Sequence, residues 1–284
     1  GLQRIFVVLF TVVSLVRASY DPFNYDLGVS QFTPDGRLLQ VEYAAKAASQ
    51  EDSAILVAQI QSKEKDNTLT VVCTSGRADS VVDRMVHLPD SDTILILTGL
   101  LPDAVRLVRL SVDKTQDEFH RMWGNDRPLS SFQIASAIAN TCQRHSMGGG
   151  MRCYGASIVV VENVPEEEVP RIYQTHTSGS VQRYSMKTDG KVLLIGEERR
   201  NSGKSSSTSQ APQGGFSSLS SFLEYASERL LPTPDPEKMT EEEEEHDDGE
   251  KRILHVSLLS RKHGIRRLSQ DELEDCIMKK SRQR

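Results

Sequence analysis

Cysteine is the first residue type to examine for chemistry, because its thiolate can act as a nucleophile or as a metal ligand. The chain contains four cysteines, none of them in a C-x-x-C pair. The chain shows no Cys/His cluster with metal-ligand spacing, so a zinc site is not indicated. We therefore predict free and mostly buried thiols, no metal and no cofactor. The cysteines are Cys73, Cys142, Cys153 and Cys276.

Histidine and serine give no catalytic pattern either. His87, His145 and His176 fall on different predicted elements, so we interpret them as structural or surface residues. The serine-rich run at 202–209 is typical of a loop. The sequence contains no G-x-S-x-G motif, the nucleophile elbow of many hydrolases. These residues predict no catalytic centre.

The composition indicates a globular chain that avoids nucleic acid. Hydrophobic residues make up 37% and charged residues 26% of the 284 residues. This length is enough to bury a substantial core. The formal net charge of -6 gives no basic footprint for a phosphate backbone. We therefore exclude nucleic acid as a partner.

The richest local signal lies between Tyr25 and Ala48. Its centre, Thr33-Pro34-Asp35-Gly36, is typical of a tight turn, because proline presets φ while aspartate and glycine tolerate the bend. From Arg37 to Ala48 there is no glycine or proline, and apolar residues recur at helical spacing. These apolar residues are Leu38, Val41, Ala45 and Ala48. The stretch predicts an extended arm, a reverse turn and a short amphipathic helix.

The same stretch resembles the signature of proteasome α-type subunits. That signature has Tyr-Asp, followed by Phe-Ser-Pro-Asp/Glu-Gly-Arg-Leu-x-Gln-Val-Glu-Tyr-Ala. Here Tyr25-Asp26 is followed, in the same register, by Phe32-Thr33-Pro34-Asp35-Gly36-Arg37-Leu38-Leu39-Gln40-Val41-Glu42-Tyr43-Ala44. Two positions differ: Leu27 stands where arginine is usual, and Thr33 where serine is usual.

Beyond this stretch the apolar pattern predicts strands, then two helices, then strands again. This order is typical of helices packed outside a pair of antiparallel sheets. The resemblance implies an α+β fold, the four-layer αββα sandwich of the N-terminal-nucleophile hydrolases. Strands are predicted at residues 53–60, 68–73, 93–98, 154–162, 171–177, 181–184, 191–195, 252–259 and 264–268. Helices are predicted at 101–123, 130–145 and 216–231, and a last helix is capped by Ser269 with Glu272.

Composition also divides the chain into segments. We predict one domain, interrupted by an insertion that is too polar to offset its ordering entropy. The segments are a signal peptide or hydrophobic extension at 1–18, the arm and main sandwich at 19–198, a disordered Ser/Gly-rich insertion at 199–215, and a C-terminal part at 216–284 that contains an acidic loop at 232–250. The apolar run at 5–16 is too short for a stable membrane span.

Shorter matches extend the resemblance, and some residues depart from it. Thr98-Gly99-Leu100 with Asp103-Ala104 resembles the start of the family's first outer helix, and Arg152-Cys153-Tyr154-Gly155 resembles its Arg-Pro-Tyr/Phe-Gly. Val105 replaces an arginine of the family. Near Arg84 and Met85 the family commonly has a lysine that receives activator tails, so we name this pair as a possible docking site. The acidic loop stands where a further helix is expected.

The resemblance implies a non-catalytic subunit of the seven-membered outer ring of the proteasome core particle, which gates substrate entry for ubiquitin-dependent degradation. Its partners would be other α subunits, β subunits and activator particles in the cytoplasm and nucleus. Ser53 matches the β-type nucleophile threonine, but it lies inside Glu51-Asp52-Ser53-Ala54, without a free amine. We therefore predict no enzymatic activity. The gating and ring-contact residues implied are Tyr25, Asp26, Pro34, Gly36, Arg37, Gln40, Glu42 and Tyr43.

Two alternatives stay open. A secretory or organellar paralogue, acting as a scaffold or binding protein outside the proteasome, would account for residues 1–18 and for the altered docking site. An autoprocessed N-terminal-nucleophile hydrolase would need cleavage ahead of Ser53. The N-terminal residue of the purified chain separates them, since Ser19 would indicate export and Ser53 would indicate processing.

Overall fold

β-Branched residues are concentrated in the short runs that form the strands of this structure, a computed structural model. The strands in chain order are β1 (Ile55–Gln61), β2 (Thr68–Arg77), β3 (Met85–His87), β4 (Thr93–Gly99), β5 (Ala156–Glu162), β6 (Arg171–Thr175), β7 (Val181–Tyr184), β8 (Leu193–Ile195), β9 (Arg252–Ser260) and β10 (Gly264–Arg267). The structure describes residues 25, 28–50, 54–61, 68–77, 83–88, 91–123, 128–148, 152–164, 166–167, 169–186, 192–195, 216, 218–231, 252–260 and 264–281.

These strands form two five-stranded antiparallel sheets. The first sheet has the order β10-β9-β2-β1-β8, and the second has the order β3-β4-β5-β6-β7. In the first sheet Leu56 lies opposite Cys73. In the second sheet Gly99 lies opposite Ala156, which brings the end of β4 to the start of β5. Gly99 and Gly155 both lie at this junction.

Helices cover both outer faces of the pair of sheets. The described helices are α1 (Leu39–Gln50), α2 (Leu101–Trp123), α3 (Ser131–Met147), α4 (Leu219–Leu230) and α5 (Gln270–Ser281). The α2 and α3 helices are joined by a hydrogen bond of 2.9 Å from Ser111 Oγ to Thr141 Oγ1. Ser130 caps α3 through a reciprocal capping box with Gln133, which satisfies donors that the first turn leaves open.

The alternation of side chains along β4 explains the layers. Leu95 and Leu97 pack against α2 and α3, whereas Ile94 and Ile96 face the first sheet. A third core lies between the first sheet and the helices α4 and α5, with Phe222 fully buried at its centre. Three cores between four layers confirm the predicted αββα sandwich.

Most predicted elements are confirmed, with changes at their bounds. The β2 strand continues to Arg77, four residues past the prediction, because β9 pairs with it residue by residue as far as Arg252. The β3 strand was not predicted, since three residues are too few to show an alternating pattern. The predicted segments 1–18 and 199–215 and the acidic loop at 232–250 lie outside the described residues.

The buried face of α1 also differs from the prediction. Ala44 and Ala48 are 8% and 6% exposed and make the contact with the sandwich, while Ala45 is exposed. The helix begins at Leu39, within one residue of the predicted start at about Leu38. Helical spacing thus predicted Ala48 correctly but chose Ala45 in place of Ala44, because alanine occupies both faces of this helix.

Candidate functional site

The predicted turn ahead of α1 is present and closed by hydrogen bonds. Gly36 N donates to Thr33 O at 2.9 Å, and Thr33 N donates to Arg37 O at 2.9 Å. The Thr33 hydroxyl also accepts from Arg37 N at 3.0 Å. Gly36 has φ of 76°, a conformation that strains other residues. Thr33 thus forms hydrogen bonds with the residues that follow the turn, and Pro34 is exposed within it.

Two of the predicted contact residues, Arg37 and Glu42, bind each other. Arg37 Nε donates to Glu42 Oε1 at 2.9 Å, and Nη2 donates to Oε2. This hydrogen bond raises the pKa of Arg37 and lowers the pKa of Glu42. The pair connects the turn to the first turn of α1.

Small residues let α1 approach the sandwich closely. A Cβ at Gly99, where φ is 81°, would lie 2.7 Å from Ala48 Cα and 2.5 Å from Gly155 O. A Cβ at Gly155 would lie 3.3 Å from Ala47 Cβ. The helix therefore packs against the junction between β4 and β5, and its position depends on glycine at both places.

The outward side of this unit carries two large exposed rings among polar residues. Phe32 is 63% exposed and Tyr43 is 50% exposed. Tyr25 and Gln40 are half-buried. The predicted residue Asp26 lies outside the described residues. The remaining predicted contact residues are thus gathered in one unit, with two large rings directed away from the core.

A second set of contacts joins α2 to the segment ahead of β5, against which α1 packs. Arg152 donates two hydrogen bonds to Asp103, at 2.5 Å and 2.6 Å, and Gly155 N donates to the same carboxylate at 3.0 Å. Burial by itself would raise the pKa of Asp103, but the hydrogen bonds from Arg152 and Gly155 outweigh it and hold the pKa below its ordinary value. The carboxylate joins the first turn of α2 to the segment that leads into β5.

Comparison with known proteins agrees with this geometry. The family model of the proteasome A-type N-terminal signature matches residues 25–47, which form the turn and most of α1. The general proteasome family model matches residues 65–192, which include the second sheet, α2 and α3. These matches show a proteasome subunit domain preceded by the proteasome A-type N-terminal signature. The resemblance carried by the sequence motifs is therefore confirmed.

Curated α-type subunits show the extent of the relationship. The proteasome alpha type-4 subunit of Saccharomyces cerevisiae is 29% identical over 172 residues, covering 59% of this chain and 65% of the relative. The alpha type-7-A subunit of Arabidopsis thaliana is 29% identical, with the same coverage. The alpha type-7 subunit of Caenorhabditis elegans is 30% identical, covering 59% of this chain and 64% of the relative. The chain thus spans just under two thirds of these relatives.

The predicted docking pair, Arg84 and Met85, is buried in the structure. Arg84 is buried, and its Nη1 donates to Leu97 O at 3.4 Å and to Gly99 O at 3.3 Å. Met85 is buried between the sheets and accepts a hydrogen bond from Ser257 Oγ at 3.3 Å. Neither side chain is at the surface of the isolated subunit. Activator docking at this pair stays a prediction, and the geometry does not favour it.

The structure describes part of the region that matches the β-type nucleophile. Ser53 itself lies outside the described residues. At the next residue, Ala54 O accepts a hydrogen bond from Thr74 Oγ1 at 3.3 Å. Ser75 is buried and Arg77 is exposed at the end of β2. The described residues near this position are therefore Thr74, whose hydroxyl donates to a backbone carbonyl, and the end of β2 that follows it.

The three buried cysteines of this chain are poor nucleophiles. Cys73, Cys142 and Cys153 are buried and Cys276 is partly buried, as predicted. Burial raises the pKa of Cys73 far above its ordinary value and raises that of Cys142 to about 12. Thiols in such surroundings stay protonated at neutral pH.

The described part of the chain offers neither a metal cluster nor a membrane helix. There, no three His, Cys, Asp or Glu side chains converge in a way that could hold a metal ion. None of the helices in the described ranges has the length and apolar character needed to cross a membrane.

Sequence reasoning missed several residues that position the α-type signature. It named Gly99, Asp103, Arg152 and Gly155 only as parts of separate motifs, and their mutual contacts come from the fold. It did not single out His255, which is buried between the sheets. An apolar strand with one central histidine is the signal that marks such a residue.

Proposed function

We propose that this chain is a non-catalytic α-type subunit in the seven-membered outer ring of a proteasome core particle, where it gates substrate entry for ubiquitin-dependent degradation. The folded signature carries the proposal. A closed turn and a helix seated on Gly99 and Gly155 hold Phe32 and Tyr43 outward. A rigid unit with exposed rings is suited to pack against a neighbouring subunit, because aromatic side chains are enriched at such contacts.

The proposal assigns each signature residue a part. Tyr43, with Tyr25 and Asp26, contacts the neighbouring arm, and Pro34 presents the turn to activator particles. Arg37 and Glu42 hold the corner in shape through their ion pair. Gly36 permits the bend, and Gln40 lies on the helix beside them. Other α subunits would lie on either side, β subunits below and regulatory particles above, in the cytoplasm and nucleus.

The position of Ser53 in the chain supports the proposal that this subunit is not catalytic. In threonine-type hydrolases the nucleophile's own free amine acts as the base. Ser53 follows Asp52 within the chain, so its nitrogen is part of a peptide bond. The chain would contribute structure and gating, while the peptide bonds of substrates are cut by other subunits.

Affinity purification with native mass spectrometry tests the proposal. A tag at the C-terminus leaves the arm unaltered, and we expect the chain to co-purify with other α-type and β-type subunits in one particle. Recovery of the chain alone, with its N-terminus at Ser19, would support the secretory paralogue instead. An N-terminus at Ser53 together with peptide cleavage by the isolated chain would support a hydrolase and overturn the proposal.

A further inference from the structure

A polar cluster bridges the two sheets where β3 lies against β9 and β10. Arg267 on β10 donates two hydrogen bonds to Asp83, which lies just ahead of β3, one of them at 2.8 Å. His255 and Ser257 on β9 and His87 on β3 complete the cluster. The proposed function uses none of these residues. The cluster joins the C-terminal segment of the chain to the opposite sheet.

His255 is held as a neutral base. Arg267 Nη2 donates to His255 Nδ1 at 2.7 Å, so this nitrogen carries a lone pair and no proton. His255 is only 6% exposed, and its ring fills the space above Gly76, where a Cβ would lie 2.6 Å from Nε2. A proton on Nδ1 would remove the hydrogen bond and place a second cation against Arg267.

His87 on β3 contacts β9 through Ser257. Its Nε2 lies 3.2 Å from Ser257 Oγ, and that hydroxyl donates to Met85 Sδ. Burial and the nearby Arg267 lower the pKa of His87, and the opposing effect of Asp83 is smaller. The folded protein therefore binds a proton at His87 less readily than the unfolded chain does.

The charges around the cluster come from each element packed against it. The end of β2 contributes Gly76 and no charge at this point, while the β3 region contributes Asp83 and Arg84. Arg84 Cδ lies 3.9 Å from the position of a Cβ at Gly76. With Arg267 from β10, the described charges at neutral pH are two cations and one anion. Each protonated histidine adds a further cation to this set.

We propose that Asp83, His87, His255 and Arg267 form an acid-sensitive clasp, which holds β10 and the start of α5 against β3 at neutral pH and loosens them when the histidines are protonated. The α5 helix follows this clasp directly. Leu268 N donates to Val256 O, and Gln270 Nε2 donates to Leu254 O at 2.9 Å. Because α5 begins three residues after β10 ends, we expect local opening of β10 to include the first turn of α5.

The direction of the pH effect follows from proton linkage. A histidine that is neutral in the folded state takes up a proton on unfolding, so its contribution to stability falls as the pH drops below about 6.5. Arg267 lowers the pKa of Asp83, so Asp83 stays ionised throughout this range and loses its contribution only below about pH 4. Between about pH 6.5 and 5, the histidines are thus the groups of this cluster whose protonation changes, while Asp83 stays ionised.

Peptide-resolved hydrogen exchange of the full chain at pH 7.5 and 5.5 tests the clasp, whether the chain purifies alone or within an assembly. We expect local opening of β10 and the start of α5 to rise at pH 5.5 by about tenfold for each histidine that titrates, after correction for intrinsic exchange. Peptides from α2 and α3 should change little. An equal change in all elements, or none in β10, would overturn the clasp.

Variants identify the responsible groups. Asparagine at position 255 can place its amide oxygen near the site of Nδ1, and glutamine at position 87 can reach Ser257 as Nε2 does, but neither side chain titrates. We expect His255→Asn with His87→Gln to abolish the pH dependence in β10. The control His176→Asn, in the turn between β6 and β7, should retain it. If the double variant keeps the wild-type pH dependence, other groups are responsible and the proposal is wrong.

Discussion

Asp103 connects two of the short sequence motifs through its carboxylate. Its carboxylate accepts from Arg152 and from Gly155 N, and so connects α2 to the entry of β5. The same Gly155 lies against Leu100 and Ala47. One side chain thereby supports the surface on which the signature helix sits.

Asp103→Asn keeps the shape of this side chain and removes its charge. We expect the free energy of unfolding to fall by about 1–2 kcal/mol, since charge-assisted hydrogen bonds are lost but Arg152 is 67% exposed and solvent weakens the pair. Urea denaturation at pH 7 measures this. The difference from wild type should vanish as the pH falls through the lowered pKa of Asp103, because both side chains are then neutral.

Asp113→Asn on the same helix is the matched control, because Asp113 is exposed. It should change the free energy of unfolding by less than about 0.5 kcal/mol. Equal effects of the two substitutions would show that Asp103 contributes only as a surface charge.

At the scale of elements, two glycines with positive φ play different parts. Gly36 lets the chain turn ahead of α1, and a Cβ there meets nothing within 4 Å. Gly99 lets α1 dock, and a Cβ there would meet backbone atoms of Gly155 and Ala48. The first is a conformational requirement, and the second adds a steric one.

Gly36→Ala and Gly99→Ala separate these requirements. We expect Gly36→Ala to cost about 1–2 kcal/mol, the strain of alanine in the left-handed region. Gly99→Ala should cost roughly 3 kcal/mol or more, because the methyl group overlaps backbone that cannot move aside cheaply. Thermal unfolding followed by circular dichroism gives both values. Similar losses in the two variants would contradict the close packing of α1 on this junction.

At the scale of the whole molecule, the exposed rings of the signature bear on assembly. Phe32 and Tyr43 contribute little to the core in the isolated subunit, since at least half of each residue is exposed. Their place at the outer side of a rigid unit is explained if a neighbouring subunit covers them.

Phe32→Ala with Tyr43→Ala should weaken assembly without weakening the fold. We expect co-purification of other proteasome subunits to fall by about tenfold, the scale of an interface anchor, while the unfolding temperature stays close to that of wild type. Met147→Ala, at an exposed residue near the end of α3, is the control and should leave assembly unchanged. Loss of assembly in the control, or a lower unfolding temperature in the double variant, would show a general effect on stability.

The sequence alone determined the turn, the helices, most of the strands and the family resemblance, because each is encoded by residues close together in the chain. Pro34 and Gly36 specify the corner through their own backbone preferences, and β-branched runs specify strands. The same local signals gave a fold class through the order of elements.

Only the tertiary structure decided which residues meet. The pairing of Asp103 with Arg152, the seating of Ala48 on Gly99 and the burial of Arg84 each join residues distant in the chain. The contact of His255 with Arg267 was equally hidden, since it needs β10 folded back beside β9. Such contacts depend on the register and packing of whole sheets, which no local pattern specifies.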